Sequence, residues 1–199
     1  MSESPYPVHP GGRDLNLESI YEFGSRVGIW RLIDLFDRYD VRPTIFTCAV
    51  AMERNPRVTQ AFVRRNYEMV GHGYRWVSHF TFDEDEERDQ IRKAVESVQR
   101  TTGQRLIGWF TRPPQTMATR RILAEEGFLY DSGALNDEIP YFQDVAGRPF
   151  LIVPYTLDVN DIRFWKTGMF TAKARDVGSS LRPGQGAGAC EPGWSRPFG

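Results

Sequence analysis

The chain of 199 residues holds only two cysteines, Cys48 in an apolar run and Cys190 in a glycine- and proline-rich tail. Two thiols so placed make no disulfide framework and fit a reducing, cytoplasmic setting. Long apolar runs are missing as well. None approaches the ~18 to 20 residues needed to span a bilayer, and the opening MSESPYPVHPGGRD has neither the basic segment nor the apolar stretch of a signal peptide. A soluble, intracellular protein with no membrane partner is expected. An excess of either charge is also lacking: 25 Lys and Arg against 26 Asp and Glu leave a formal charge of -1. That balance gives no general attraction to a polyanion and argues against nucleic acid as a partner. No nucleophile elbow, phosphate-binding glycine loop or cysteine–histidine pair occurs. The chemistry left open is attack of water on a polarised carbonyl.

What is present suffices for one core: 40% of the residues are hydrophobic, at a length usual for one domain. After a polar lead, 1–14, residues 15–173 are expected to form that domain. In residues 25–39, Val27, Ile29, Trp30, Ile33 and Phe36 recur at helical spacing. The apolar PTIFTCAV of 43–50 reads as a buried strand, and Asn55-Pro56 as the start of a second helix. Residues 67–71 read as a strand, and Thr81 with Glu84 as a capping box for a helix reaching Gly103. Residues 106–111, 128–132 and 150–156 read as strands, with a helix over 115–126. Such alternation predicts βαβ units and a mainly parallel sheet, open or closed into a barrel. A first strand before the first helix is expected but not found. Residues 174–199, with six of the 18 glycines and three of the 13 prolines, show no periodicity and read as a disordered tail.

In parallel α/β folds, sites lie at the C-terminal ends of the strands. There stand His72, Arg112 and Asp131, then Asp158, Asn160 and Asp161. Polar residues also cap strand ends without any other role, so each taken alone is ambiguous. The densest group is GHGYRWVSH, residues 71–79. Zinc sites on one short segment commonly space histidines about three to five residues apart, whereas His72 and His79 are seven apart with Trp76 between them. A two-histidine zinc site therefore needs the loop to fold back. Arg112, fixed by Pro113 and Pro114, carries a permanent charge and a fork of donors suited to a carboxylate or an amide carbonyl. Glu18, Glu22, Asp131 and Asp158 are the carboxylates from which a general base would come.

In order along residues 10–173, ESIYEFGSRVGIWRLIDLF, PTIF, ERNP, GHGYRW, GWFTRPP, EEGFLYDSGALNDEIPYF and VPYTLDVNDIRF resemble the allantoinase-like branch of the polysaccharide deacetylases. The resemblance implies an α/β fold, an incomplete distorted (β/α) barrel, and a hydrolase for carbon–nitrogen bonds other than peptides. The reaction implied is opening of a cyclic amide such as allantoin. The alternative is zinc-dependent N-deacetylation of a sugar or peptidoglycan, with His72 and His79 as ligands. A third reading is an inactive fragment that retains ligand binding. His72 matches the first histidine of the family's metal motif, Arg112-Pro113-Pro114 its arginine motif and Asp131 a further active-site segment. These three are the expected catalytic residues. Trp76 takes the place of the second metal-binding histidine, so no metal cofactor is expected in the leading reading. Glu18, Trp76 and Trp109 are assigned to the substrate, a small cyclic amide or an N-acetylated sugar. The family's paired aspartates and its final histidine motif have no counterpart here. The lost first strand would leave an open sheet edge that calls for a partner or rearrangement, and a homo-oligomer would provide one.

Overall fold

The computed structural model describes residues 15–156 and 160. The elements below belong to the first of two units into which the chain divides, residues 1–155. Expectations for the polar lead, the tail, Asp158 and Asp161 lie outside the described residues.

The first helix begins ten residues earlier than its periodicity predicts. It runs as α1 (Leu15–Phe23), a π-helical segment (Gly24–Gly28) and α2 (Ile29–Arg38). Its first part gives no amphipathic signal because Leu15, Ile20 and Phe23 are all exposed, while in α2 Ile33 is buried. Strand β1 (Thr44–Thr47) is half the expected length, since Ala49 and Val50 open a short helix, α3 (Ala49–Arg54). The reason lies in tertiary hydrogen bonding. The N–H groups of Ala49 and Val50, unpaired within α3, donate to the carbonyls of Gly73 and Tyr74 at 3.0 Å each. Helix α4 (Pro56–Arg64) starts where Asn55-Pro56 predicts, with the Asn55 side chain accepting from Val58 N–H.

Strand β2 (Glu68–Gly71) leads to a loop and then to α5 (Glu84–Thr102). The capping box forms two residues later than expected. Asp83 accepts from Glu86 N–H at 2.8 Å, and Glu86 accepts from Asp83 N–H at 3.1 Å. Strands β3 (Gly108–Trp109) and β4 (Tyr130–Asp131) are short, and α6 (Thr119–Glu125) starts four residues late. Thr116 Oγ1 takes the N–H groups of Ala118 and Thr119 at 3.1 and 3.2 Å, holding residues 115–118 outside the helix.

The chain ends its described part in a hairpin that the sequence conceals, β5 (Tyr141–Val145) and β6 (Arg148–Ile152). The two-residue turn Ala146-Gly147 has positive φ at both positions, 54° and 77°. Asn-Gly or Asp-Gly is the usual signal for that turn, and alanine hides it. The six strands form one sheet in the order β1-β2-β3-β4-β6-β5, parallel except for β5. Among the described residues the sheet is mixed α/β and open, with β1 and β5 at its edges.

The core joins Ile33 of α2, Met52 of α3, Phe62 of α4, Ile91 and Val98 of α5 and Ile122 of α6 to Met69, Trp109 and Ile152 of the strands. Burying each such side chain contributes about 1.5–3 kcal/mol. Gly71 is where the core touches the site: a Cβ there would lie 2.2 Å from the Trp109 ring. Only glycine lets that indole lie against the end of β2, one residue before His72.

Candidate active site

Because β1, β2, β3, β4 and β6 run in one direction, the segments that follow them emerge along one edge of the sheet. His72 follows β2. Its backbone N–H donates to Thr47 O at 2.9 Å and Phe110 N–H donates to Gly71 O at 2.8 Å, so the β2 end is clamped between the β1 and β3 ends.

The His72 imidazole is half-buried and uses both nitrogens. Nδ1 lies 2.5 Å from the carbonyl oxygen of Phe110, and Nε2 lies 3.1 Å from the indole nitrogen of Trp76. A carbonyl can only accept and an indole N–H can only donate, so Nδ1 carries the proton and Nε2 accepts. The ring is thus a neutral imidazole of fixed tautomer. Burial lowers the His72 pKa below the ordinary histidine value. The Phe110 carbonyl opposes that shift, and the nearby His79 and Arg112 reinforce it.

Arg112, at the end of the segment following β3, lies over the other side of this assembly. Its guanidinium carbon is 4.1 Å from the centroid of the Trp76 ring, a cation–π stack worth about 0.5–2 kcal/mol. Beneath, the His72 ring stacks on Phe110 at 5.1 Å and 5°. Phe110 stacks in turn on Tyr155 at 5.2 Å, and Phe46 meets both edge-on at 5.5 and 6.5 Å. Phe46, Phe110 and Tyr155 make an apolar floor; Trp76 and Arg112 make a wall with a permanent cation. Such a floor and wall suit a small planar group with a carbonyl at one end.

His72, Trp76 and Arg112 are therefore brought together, whereas Asp131, Trp109 and His79 are held by other neighbours. Asp131 is wholly buried. Its Oδ1 accepts from Gln115 Nε2 at 2.9 Å and Gly133 N–H at 3.0 Å, and its Oδ2 pairs with Arg120 Nε at 2.9 Å. Trp109 is also wholly buried, donating to Thr111 Oγ1 at 2.8 Å and meeting Phe128 edge-on. Glu18 lies half-buried on α1. His79 is buried at 1% exposure, with Nδ1 3.5 Å from Glu87 Oε1. That separation is within ion-pair range but outside good hydrogen-bond geometry, and Nδ1 has no hydrogen-bond partner. Asn160 is half-buried. Phe46 and Tyr155 lie in the PTIF and VPYT stretches that resemble the family but are not singled out there as site residues. Only the period-2 alternation of a strand, which sends Phe46 to the face opposite Thr47, gives a hint.

The donors present do not fit a divalent metal at His72. Both imidazole nitrogens are engaged, Nε2 by an indole N–H that occupies the lone pair a metal would require. Among the described residues no three His, Cys, Asp or Glu side chains converge, and a catalytic zinc commonly has three protein ligands.

The sheet is a mainly parallel α/β sheet that places a histidine and an arginine after adjacent strands, beside a cluster of aromatic rings. The polysaccharide deacetylase family model matches residues 19–128, and the chain belongs to that family. It is 31% identical over 177 residues to a Schizosaccharomyces pombe protein classed as a polysaccharide deacetylase, covering 80% of this chain and 55% of that protein. Among solved structures, a Pseudomonas aeruginosa protein classed as a polysaccharide deacetylase is 44% identical with a TM-score of 0.74, covering 80% of this chain and 54% of that one. Puue allantoinase is 40% identical with a TM-score of 0.76, covering 86% and 57%. The distorted barrel of these relatives is the expected fold, of which the described residues form an open sheet. The chain spans about half the length of the proteins it matches.

Proposed function

We propose that this chain carries the pocket of a metal-independent hydrolase that opens a small cyclic amide of the hydantoin type, as in allantoin. One observation carries the reading: the Trp76 indole N–H fills the His72 Nε2 position that a metal-dependent relative would give to its ion. Similarity to Puue allantoinase supports it. In the reaction, water oxygen bonds to the ring carbonyl carbon and the carbon–nitrogen bond breaks. The leaving nitrogen takes a proton, and a carboxylate and a ureido group remain. Arg112 supplies a fixed positive charge to the carbonyl oxygen as it becomes negative, an electrostatic contribution of about 3–4 kcal/mol in comparable sites. Trp76, Phe46, Phe110 and Tyr155 hold the flat ring and exclude water. His72, neutral and tied at Nδ1, fixes the indole against which the ring packs. Asp131, held by three donors, sets the turn after β4 and is a positioning residue in this reading.

Membership of the deacetylase family supports a second reading, N-deacetylation of a sugar, in which a zinc ion would draw on ligands beyond the described residues. We also place the protein in the cytoplasm, from its two widely spaced cysteines, and as a homo-oligomer, from the exposed Leu32, Leu35 and Val41 and, separately, the open β1 edge of the described sheet. Among the described residues no helix is long and apolar enough to cross a membrane.

The deciding experiment follows hydrolysis of allantoin and of an N-acetylglucosamine oligomer by the purified chain, with and without a strong chelator, beside His72→Ala. Turnover of allantoin that survives the chelator and falls about 100-fold in His72→Ala, through the misplaced Trp76 ring, is expected. Turnover of the sugar that the chelator abolishes would replace this reading with the second. Binding of allantoin without turnover, in a sample that unfolds cooperatively, would make the chain a ligand-binding remnant.

A further inference from the structure

His72, Trp76, Phe110 and Arg112 of the site come from two loops, residues 71–79 and 110–118, and a buried carboxylate outside both of them touches each. Glu87, in the first turns of α5, is wholly inaccessible to solvent. Its Oε1 accepts the hydroxyl of Thr119 at 2.7 Å and lies 3.5 Å from His79 Nδ1, and its Oε2 accepts the hydroxyl of Thr116 at 2.5 Å. Burial pushes the Glu87 pKa up, but the neighbouring His79 ring and the hydroxyls of Thr116 and Thr119 outweigh it and hold the carboxyl below its ordinary range. An ionised carboxylate in the interior is costly unless its partners are fixed. The same energetics fix the partners.

Each partner lies close to a pocket residue. His79 is three residues past Trp76, and its ring lies under the turn after His72: a Cβ on Gly73 would be 3.6 Å from His79 Nε2. Thr116 is four residues past Arg112, and Gln115 beside it holds Asp131 at 2.9 Å. The pocket reading above does not use His79, Glu87, Thr116 or Thr119. A core carboxylate that only filled space would be replaceable by an apolar side chain without this set of donors.

We propose that Glu87 is a positioning residue for the pocket: through His79 it fixes the loop bearing His72 and Trp76, and through Thr116 and Thr119 the loop bearing Arg112. One carboxylate thereby sets the stacking of Arg112 on Trp76 and the indole-to-imidazole bond. The inference rests on the pocket as read above, though not on its substrate.

The test uses the full chain labelled with 15N at tryptophan. The Trp76 indole N–H, assigned through Trp76→Phe, reports the bond to His72, and the Trp109 indole N–H reports the core. Glu87→Gln is expected to speed exchange of the Trp76 indole proton by about tenfold or more while Trp109 stays within about twofold. Thr119→Val is expected to give a smaller shift of the same sign, and Thr119→Ser, which keeps the hydroxyl, to restore the native rate. Unchanged exchange at Trp76 would overturn the proposal, as would Trp109 rising in step with it, which would make Glu87 a core residue and nothing more. If Glu87→Gln does not fold, the Thr119 pair decides by the same criteria. No substrate enters these measurements. A failed allantoin assay with the expected exchange rates leaves Glu87 in its role and removes only the substrate reading.

Discussion

Replacing Trp76 by phenylalanine removes the indole N–H and shrinks the ring while keeping an aromatic face. The N–H that donates to His72 Nε2 at 3.1 Å is lost, while an aromatic ring remains under Arg112. The bond itself is worth about 0.5–1.5 kcal/mol net, and a half-buried nitrogen left without its donor adds up to about 1 kcal/mol more. The weaker cation–π stack on phenylalanine costs a further few tenths of a kcal/mol. The sum is a destabilisation of about 1–2.5 kcal/mol at pH 8, where His72 is neutral. At low pH the outcome changes sign in its components. The folded-state pKa of His72 is depressed, so its contribution to stability is present above about pH 6.5, the unfolded value, and is lost as pH falls toward the folded pKa. Protonating Nε2 in the native protein also requires giving up the Trp76 bond, because two N–H groups cannot face each other. In Trp76→Phe that obstacle is gone and the His72 pKa moves back toward 6.5. The gap between the two proteins therefore narrows from pH 8 to pH 5. Urea unfolding followed by far-ultraviolet circular dichroism measures it without relying on tryptophan fluorescence. A gap equal at both pH values, or no gap at pH 8, would refute the assigned tautomer and bond.

Two further substitutions test the frame around the pocket. Gly71→Ala drives a Cβ to 2.2 Å from the Trp109 ring; overpacking of about 1–3 kcal/mol is expected, with the His72 resonances displaced in an NMR spectrum. Asp131→Asn keeps the shape of the side chain but removes the charge that Arg120 Nε meets at 2.9 Å. A loss of about 2–3 kcal/mol in denaturant unfolding is expected, tempered because Arg120 is partly open to water.

Much of this architecture is legible in the sequence because it depends on local chemistry. Asn55-Pro56 starts a helix through its own side chain and ring, and the alternation of apolar segments yields the parallel sheet. His72 and Arg112 stand out as polar residues at strand ends, and the structure brings His72 to the N–H edge of Trp76 and Arg112 over its face. What escaped depends on contacts between distant segments. Ala49 and Val50 look like the end of a strand until the carbonyls of Gly73 and Tyr74 are placed opposite their N–H groups. The Thr81–Glu84 box loses to Asp83–Glu86 two residues on. Asp131 reads as a site residue because it ends a strand and Trp109 because of the family resemblance, but the neighbours that enclose them, Gln115, Arg120 and Phe128, arrive from other segments. Glu87 has no sequence signal at all, being one acid among the six of residues 83–89.

The paired N–H groups of Ala49 and Val50 with the carbonyls of Gly73 and Tyr74 bear on the order in which the pocket comes into being. The first turn of α3 and the loop after His72 complete each other's hydrogen bonding, so neither has its native conformation until both are present. Between them the chain must close a loop whose entropic penalty, unlike that of a helical turn, is incurred before any contact rewards it. His72 keeps its backbone place only where residues 47–50 meet residues 72–74, so the chemistry of the site rests on a contact between segments distant in the chain and not on any one of them.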